Sequence, residues 1–297
     1  LDEKARSIQQ TRDGGYIVAG YTQTTLDLHL YHNVWLLKLN PSGDVEWEKR
    51  FGTTESGEAN SVRETPDGGY VIAGWRSFAI DDHPGMSPIR HGLILKLDSS
   101  GEIEWQKVIG RDSADFAGAF FREVGLTDDG GYICSGTMNR EYGATTNADA
   151  WIIKLDGAGG VQWQTVLDGF DPGSLSPYSA SDSGCSAQQT MDGGYIAAGQ
   201  TAFTFNWSMG IGNRDAWLAK LNPQGGIEWK RTYGIYTPPE AGGYPYPSNE
   251  EVYSVRETGN GAYVIAGSTD ADVGVKGSNT WIFKVDTLGR VLWQKAY

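Results

Sequence analysis

The sequence predicts an all-β protein built from five copies of one unit, and three observations support this prediction. Asp-Gly-Gly-Tyr occurs four times and a related Asn-Gly-Ala-Tyr once, and a glycine follows seven residues after each Asp or Asn. A second block, in which a Trp or Leu is followed twelve residues later by a Trp, also occurs five times. No stretch has the periodicity of an amphipathic helix. A recurrent period of this length is typical of stacked units that share a core.

The two motifs divide the chain into units at about residues 1–52, 53–110, 111–169, 170–234 and 235–297, and we expect one domain. The first motif begins at Asp13, Asp67, Asp129, Asp192 and Asn260, and its glycines are Gly20, Gly74, Gly136, Gly199 and Gly267. The second begins at Trp35, Leu93, Trp151, Trp217 and Trp281, and its second members are Trp47, Trp105, Trp163, Trp229 and Trp293.

Each unit is predicted to form four antiparallel strands, a to d in chain order. Residues 61–65 alternate between apolar and polar and precede Asp-Gly, which favours a two-residue hairpin into the apolar segment 70–74. Residues 151–155 and 161–164 flank a turn of the type Asp/Asn-x-x-Gly. The closing glycine of strand b indicates close backbone approach. Four-stranded units in this number predict a five-bladed β-propeller.

The residues that repeat in every unit are expected to be structural. The two Trp columns predict packing between blades, because a core requires symmetric repetition and a single binding site does not. A lysine column predicts a lock on turn carboxylates or carbonyls; it comprises Lys38, Lys96, Lys154, Lys220 and Lys284. We expect the first and fifth blades to meet and close the ring. Cys134 and Cys185 are too few for a disulfide framework, and we expect free thiols.

One repeated signature resembles a known motif. The pattern Asp/Asn-x-x-Gly-x-x-x-Trp-x-x-x-x-Gly, as in residues 98–110, resembles the tryptophan-docking motif of quinoprotein-type propellers. With Asp-Gly-Gly-Tyr, it is similar to repeats of secreted or surface-anchored propeller proteins of bacteria and archaea, which implies an extracellular, periplasmic or cell-surface location. Quinoprotein dehydrogenases are larger and eight-bladed, so their cofactor is not carried over. Five blades also resemble tachylectin, a sugar-binding lectin, and the five-bladed glycosidases.

Charge and hydropathy argue against two classes of partner. The chain has 24 Lys and Arg against 37 Asp and Glu, a net charge of −13, which repels phosphate backbones and anionic lipid. Nucleic acid is therefore a poor partner. No run of eighteen apolar residues occurs, so we expect no membrane insertion.

Loop lengths indicate which face of the propeller carries function. The a–b and c–d turns are short and nearly constant. From the closing glycine of strand b to the landmark of strand c, the spacing is 15, 19, 15, 18 and 14 residues, and the d–a connections vary more. These variable connections share one face, and loops on a rigid scaffold are the usual place of binding.

Candidate binding residues lie where the five-fold pattern breaks on that face. Glu123 is the one carboxylate in a strand-a column of serines; it could be an acid, a ligand, or a partner of Arg122 or of an arginine in an adjacent strand. Rings at the rim suit stacking against sugars and equally suit packing under long loops. The predicted ligand-binding residues are Tyr21, Trp75, Arg76, Glu123, Phe205, Trp207, Tyr244 and Tyr246.

The four histidines fall in two neighbouring b–c connections. They are His29, His32, His83 and His91, and Asp27, Asp81 and Asp82 share these segments. Neutral imidazole with nearby carboxylates can bind zinc or another divalent cation, although the spacing matches no known metal motif. We therefore consider a divalent metal site here, beside the alternative of ordinary surface histidines, and expect no other cofactor.

Three functions remain open from the sequence. The first is an extracellular or surface propeller that binds a carbohydrate or a protein. The second is a glycoside-processing enzyme, which needs a pair of carboxylates. Candidates for that pair are Glu123, Asp115, Asp182, Glu250 and Glu251. The third is a structural domain of a larger surface assembly. The sequence alone leaves open whether the protein is an enzyme.

Overall fold

A computed structural model provides the structure of the chain. It describes residues 2–26, 29–52, 55–77, 89–110, 116–142, 145–167, 180–204, 212–235, 248–271 and 277–297. Most of the remaining residues belong to the b–c and d–a connections.

Twenty strands form five sheets. The first blade contains β1 (Glu3–Gln10), β2 (Tyr16–Leu26), β3 (His29–Leu39) and β4 (Val45–Phe51). The second contains β5 (Gly57–Glu64), β6 (Tyr70–Ser77), β7 (Arg90–Leu97) and β8 (Ile103–Ile109). The third contains β9 (Phe116–Leu126), β10 (Tyr132–Tyr142), β11 (Thr145–Leu155) and β12 (Val161–Leu167). The fourth contains β13 (Ala180–Gln189), β14 (Tyr195–Thr204), β15 (Gly212–Leu221) and β16 (Ile227–Tyr233). The fifth contains β17 (Glu250–Glu257), β18 (Tyr263–Thr269), β19 (Asn279–Val285) and β20 (Val291–Ala296).

Each sheet is an antiparallel meander in which neighbouring strands follow one another in the chain. Each lies within one of the predicted units, so the predicted all-β fold with five four-stranded blades is confirmed. The described residues contain no helix with the length and apolar character needed to cross a membrane.

The a–b turn is longer than the predicted two-residue hairpin. In the second blade, the Thr65 N–H donates to the carbonyl of Gly69 (2.8 Å), and the Gly68 N–H donates to the carbonyl of Thr65 (2.9 Å). Gly68 has a positive φ of 84°. Asp67 accepts a hydrogen bond from the Gly69 N–H (3.0 Å) through its side chain. Asp67 and Gly68 therefore form part of a longer turn, which the Asp67 side chain stabilises through its hydrogen bond from Gly69.

The predicted lysine lock is present in the first four blades. Lys96 is buried, lies 2.9 Å from a carboxylate oxygen of Asp67 and of Glu104, and donates to the carbonyl of Leu97 (3.0 Å). Burial acts to raise the pKa of Asp67, but hydrogen bonds from Thr65 and Lys96 outweigh it and lower that pKa to about 2. The equivalent pairs are Lys38 with Asp13, Lys154 with Asp129, and Lys220 with Asp192.

The second Trp of each unit connects a blade to the next one. The Trp163 ring lies over Gly225 in the c–d turn of the fourth blade, where a methyl group on the glycine would come within 2.5 Å of the ring. Its indole N–H donates to the carbonyl of Pro223 (3.1 Å). Gly225 has a φ of 82°, so glycine is needed both for the turn and for the contact. The same stacking joins Trp47 to Gly101, Trp105 to Gly159, and Trp229 to Gly289.

The hydrophobic core consists of four clusters, and each cluster is shared by two neighbouring blades. In the described part of the chain, no equivalent cluster joins the fifth blade to the first. Trp293 is 41% exposed, and no described atom lies within 4 Å of the position that a Cβ of Gly43 would occupy. The described residues therefore do not show the predicted contact between the first and fifth blades.

Both cysteines are free thiols, as predicted. Burial raises the pKa of Cys134, which lies in strand β10 with its side chain fully buried. Cys185 is partly buried, and burial raises its pKa as well.

We expect Lys96→Met to lower the melting temperature by about 2 °C or more at neutral pH, because it removes the cation that pairs with the ionised Asp67. A lowered carboxyl pKa stabilises the fold above about pH 4 and loses this effect as the pH falls toward 2. The difference between variant and parent should therefore shrink in acid. Lys284→Met is the matched control, because Asn260 and Leu292 replace the two acids there. Equal losses in both variants would contradict the lock.

Trp163→Ala should lower the free energy of unfolding by roughly 3 kcal/mol, since it empties the contact over Gly225. Trp293→Ala, an identical substitution at an exposed ring, should cost well under half of that value. Denaturant titration of the two variants measures both. Similar losses would show that the two rings have equivalent surroundings.

Candidate functional site

The short a–b and c–d turns lie on one face of the propeller, as at residues 11–15 and 40–44 of the first blade. The longer b–c and d–a connections lie on the opposite face, which we call the loop-bearing face. Its long segments largely lie outside the described residues. These segments contain four of the predicted ligand-binding residues, namely Phe205, Trp207, Tyr244 and Tyr246. Asp115 and His83 lie outside the described residues as well. Their proposed roles stay predictions.

Tyr21 and Trp75 are buried, with exposed fractions of 4% and 5%. The Tyr21 ring stacks on His32 at 4.4 Å, and the guanidinium of Arg6 lies 5.5 Å from its centroid. Trp75 lies 4.2 Å from the guanidinium of Arg90. Of the two alternatives for rings at the rim, the structure shows packing at both positions, because neighbouring side chains cover the rings. A direct contact with ligand at either residue stays a prediction.

Arg76 is the third predicted residue in this region. Its guanidinium forms an ion pair with Glu55, and both side chains are about one quarter exposed. Arg76 therefore already has a carboxylate partner in Glu55, which lies just before the first strand of the second blade. A ligand carboxylate or hydroxyl would have to compete with Glu55 for it.

His32 is joined to the second blade through a buried glutamate. Its Nδ1 lies 2.7 Å from Oε1 of Glu58, and its Nε2 lies 3.3 Å from the side-chain nitrogen of Gln23. In this arrangement Nδ1 donates to the carboxylate and Nε2 accepts from the amide. Arg6 reaches the second oxygen of Glu58 (3.4 Å). Both ring nitrogens of His32 therefore have protein partners.

The described residues contain no group of three or more side chains able to hold a metal ion. His91 lies on β7 opposite Arg76, away from the His32 and Glu58 pair. The side chain of His29 and the whole of His83 lie outside the described part. The metal hypothesis is therefore neither supported nor tested.

Glu123 joins three blades near the axis. One of its carboxylate oxygens lies 2.9 Å from Arg63 of the second blade and 2.9 Å from Arg256 of the fifth. In its column, Ser61 and Ser186 accept hydrogen bonds from backbone N–H groups of the following blade, both at 3.3 Å. Glu123 replaces this local contact with a longer one across the axis. Of the roles left open by the sequence, the described geometry shows the arginine pair.

In every blade, the inner strand a contains a β-bulge in its pairing with strand b. The bulged positions are Arg6, Asn60, Arg122, Cys185 and Tyr253. A bulge adds one unpaired residue and redirects its side chain. Tyr253 is 59% exposed, and its hydroxyl contacts Glu251 (3.0 Å) and Ser268 (2.9 Å). Different side chains on equivalent bulges therefore give each blade its own inner surface.

Two carboxylates lie side by side between the fourth and fifth blades, and we call Asp215 and Glu250 the carboxylate pair. Asp215 lies on β15 and Glu250 begins β17. Oδ1 of Asp215 and Oε2 of Glu250 lie 3.2 and 3.4 Å from the position of a Cβ on Gly234. A side chain at Gly234 would press on both oxygens.

Burial differs between the two members of the carboxylate pair. Glu250 is fully buried and accepts from Thr269 (2.9 Å), while its Oε2 has no hydrogen-bond partner among the described residues. Burial raises the pKa of Glu250, with a further increase from Asp215, and hydrogen bonds from Ser248 and Thr269 oppose it. Asp215 is partly exposed, and burial raises its pKa. Both carboxyls therefore favour the protonated form more than in water.

Further polar groups surround the pair on the loop-bearing face. Glu251, the next residue on β17, forms a 2.5 Å ion pair with Arg214, which precedes Asp215 on β15. Asp182 of the fourth blade is buried, with Lys230 at 3.7 Å from one oxygen. Glu250 and Glu251 are consecutive on β17, so their side chains lie on opposite faces of the sheet. Asp182 lies in the same blade as Asp215, whereas Glu123 lies in the separate arginine cluster.

Asp215 was not among the predicted residues, although the repeat contains a signal for it. The position two residues before the strand-c landmark is polar in every unit, close to the apolar centre of the strand. Its members are Asn33, His91, Asp149, Asp215 and Asn279. A polar residue at a buried strand position indicates a specific partner. The signal identifies the column, but only the structure shows which neighbour each member meets.

No protein-family model matches the sequence, and no curated protein is significantly similar to it. Several solved β-propeller enzymes share its architecture at low identity. A mannose phosphorylase from Leishmania mexicana has 12% identity and a TM-score of 0.47, over 98% of this chain and 87% of that one. An α-L-arabinanase from Penicillium chrysogenum has 10% identity and a TM-score of 0.48, over 96% and 90%. An endo-arabinase from Bacteroides thetaiotaomicron has 11% identity and a TM-score of 0.40, over 93% and 91%.

Identities of 10–12% with TM-scores below 0.5 carry no argument about activity. The functional argument for this chain depends on its own residues.

Glu250→Gln is expected to raise the melting temperature at pH 7 and to have little effect at pH 4. A carboxyl with a raised pKa in the folded state stabilises the fold in acid and loses this effect as the pH rises through the raised value. The amide removes the ionisation and keeps an oxygen for Thr269. Glu257→Gln is the control, because Gln189 has its place in the fourth blade. A loss of stability at both pH values in Glu250→Gln would contradict the desolvated carboxyl.

Proposed function

We propose that this propeller is a carbohydrate-processing enzyme that hydrolyses a glycosidic bond on its loop-bearing face. The observation that supports this most is the carboxylate pair, in which Asp215 and Glu250 lie side by side with raised pKa values. Perturbed carboxyls in a shared site are typical of acid–base chemistry. Glycoside hydrolysis depends on one protonated and one ionised carboxyl group.

The two members have different parts in this proposal. Asp215 is partly exposed, so a substrate can reach it, and its raised pKa favours the proton that a leaving oxygen needs. Glu250 is fully buried beside it and acts as a positioning residue; burial raises the pKa of Glu250, and the charge of Asp215 raises it further. Glu251, held by Arg214 and Tyr253, is the ion-paired carboxylate nearest along the chain and is the candidate for the second carboxylate.

The charge of the protein favours a neutral substrate. With a net charge of −13, the chain repels polyanions over the distance set by ionic screening. A neutral oligosaccharide meets no such barrier, and its hydroxyl groups match the exposed donors and acceptors of Arg214, Glu251 and Tyr253. An extracellular, periplasmic or surface location is part of the same proposal, since the repeats resemble those of secreted propellers.

Binding without turnover is the second candidate, and the open polar cluster around Tyr253 favours it. The ring is 59% exposed and its hydroxyl is fixed by two hydrogen bonds, which is suitable for contact with a sugar. In this case a carbohydrate is held at the same face, and the carboxylate pair contributes polarity alone. A protein partner would use the same surface.

A panel of neutral oligosaccharides and nitrophenyl glycosides, read in parallel for binding and for hydrolysis, tests the proposal. Asp215→Asn should lower kcat by about 100-fold or more at every pH, and Glu250→Gln should shift the pH profile of the remaining activity. Asp286→Asn is the control on the opposite face, where Asn40 and Asn222 already have the same place in other units. Binding without turnover would overturn the enzyme and leave the second candidate; the absence of both would overturn the two together.

A further inference from the structure

We propose that the outer faces of the first and fifth blades are the two halves of one docking interface, and that the occupant is a further four-stranded blade of this same repeat. The proposal is independent of the carbohydrate site. It depends on the four interfaces that the structure already shows between neighbouring blades, because they define which residues of one blade meet which residues of the next.

The fifth blade presents the half that normally leads to a following blade. Trp229 of the fourth blade stacks on Gly289 and donates to the carbonyl of Thr287 (3.1 Å). Trp293 has the same position in the fifth blade and is 41% exposed. Ala266 is exposed as well, whereas its equivalent in the fourth blade, Ala198, is fully buried. The anchor ring and the sheet beneath it therefore lack the cover that the other four anchors have.

The first blade presents the complementary half. Ile8 on β1 is 64% exposed, while Val62 at the same position in the second blade is fully buried against the first. Gly43, in the turn that should receive an anchor Trp, has no described atom near its Cβ position. Tyr16 is partly exposed, whereas its equivalent Tyr70 is buried beneath Trp47. This face has every feature of a receiving face.

The polar contacts of the interface are also half-built at both ends. Ser61 and Ser186 accept from an N–H of the following blade, and Ser254 is the equivalent acceptor in the fifth blade. Glu64 accepts from the Arg12 N–H of the preceding blade (2.8 Å), and Gln10 has the same place in the first. Each end therefore offers the apolar and polar elements of one standard interface.

A blade fits these two faces better than a second copy of the chain does. A blade has one leading and one receiving face, so it can cover both ends at once. A second copy seated on the fifth blade would bring four more blades behind its first one, in the direction of the other open face.

The test extends the 297-residue chain after Tyr297 with a second copy of residues 52–110, which continues the repeat in register. Hydroxyl-radical footprinting with mass spectrometry compares oxidation of Trp293 and Ile8 in the parent and extended chains. We expect Trp293 to lose reactivity to the level of Trp163 in the same sample, and Ile8 to become protected with it. In the control, the appended copy carries Gly101→Val, and Trp293 should stay reactive because the turn cannot accept the ring.

Three results would overturn the proposal. In the first, Trp293 stays equally reactive in the extended chain although the appended blade is folded by circular dichroism. In the second, Trp293 is already protected in the monomeric parent, which would show that the first and fifth blades close on each other. In the third, protection in the parent rises with protein concentration, together with dimer formation by sedimentation, which would identify a second copy as the occupant.

Discussion

The stacking of a Trp on the c–d turn of the next blade is the contact on which the architecture depends. A single four-stranded sheet with two apolar faces cannot bury them alone, so each blade is stable only between neighbours. The ring of Trp163 fixes the distance and angle between two sheets, because it fills the space above Gly225 and its N–H fixes the turn at Pro223. The position of every loop on the opposite face follows from this angle.

The blades are alike near their short turns and differ from one another at their inner strands. Near the short turns, the lysine lock and the Trp contact recur with little change, since they serve the same packing in each unit. At the inner strands, the bulge accepts residues as different as Arg6 and Tyr253. A bulge leaves its residue outside the ladder, so the side chain can change without disturbing the pairing. The side chains that differ between blades therefore lie at positions where a substitution leaves the strand pairing unchanged.

Much of the fold is predictable from the sequence because it is repeated. The strands, the five units and the lysine lock follow from motifs that occur four or five times, and each occurrence supports the others. One exception has a local reason. Glu64 accepts a hydrogen bond from the N–H of Arg12 in the preceding blade, but the equivalent of Glu64 in the third blade is Leu126. The donor position that Leu126 would face is Pro66, which has no N–H to donate. Such pairs can be read once the neighbouring positions are known.

The remaining features depend on distances between blades, which no motif contains. Tyr21 and Trp75 lie in strand b toward the loop-bearing face, but charged residues from other strands cover them. Closure of the ring depends on the sum of five inter-blade angles, to which each unit contributes without a signal of its own. Glu123 finds its second arginine two blades away, at Arg256, and no spacing in the sequence indicates this.

The first and fifth blades have an amide in place of Asp215, and this difference supports the chemistry proposed for the carboxylate pair. Asn33 and Asn279 have the position of Asp215 in the first and fifth blades, where Asn33 donates to Thr24 (2.7 Å) and Asn279 to the carbonyl of Gly277 (3.0 Å). An amide is thus sufficient for the structural part of this position in these two blades, whereas the third blade has a buried acid there, Asp149. A buried carboxylate costs more to desolvate than an amide does. Asp215 beside Glu250 therefore has a desolvation free energy that an asparagine at this position would avoid. What the carboxyl group has and the amide lacks is a proton that it can donate.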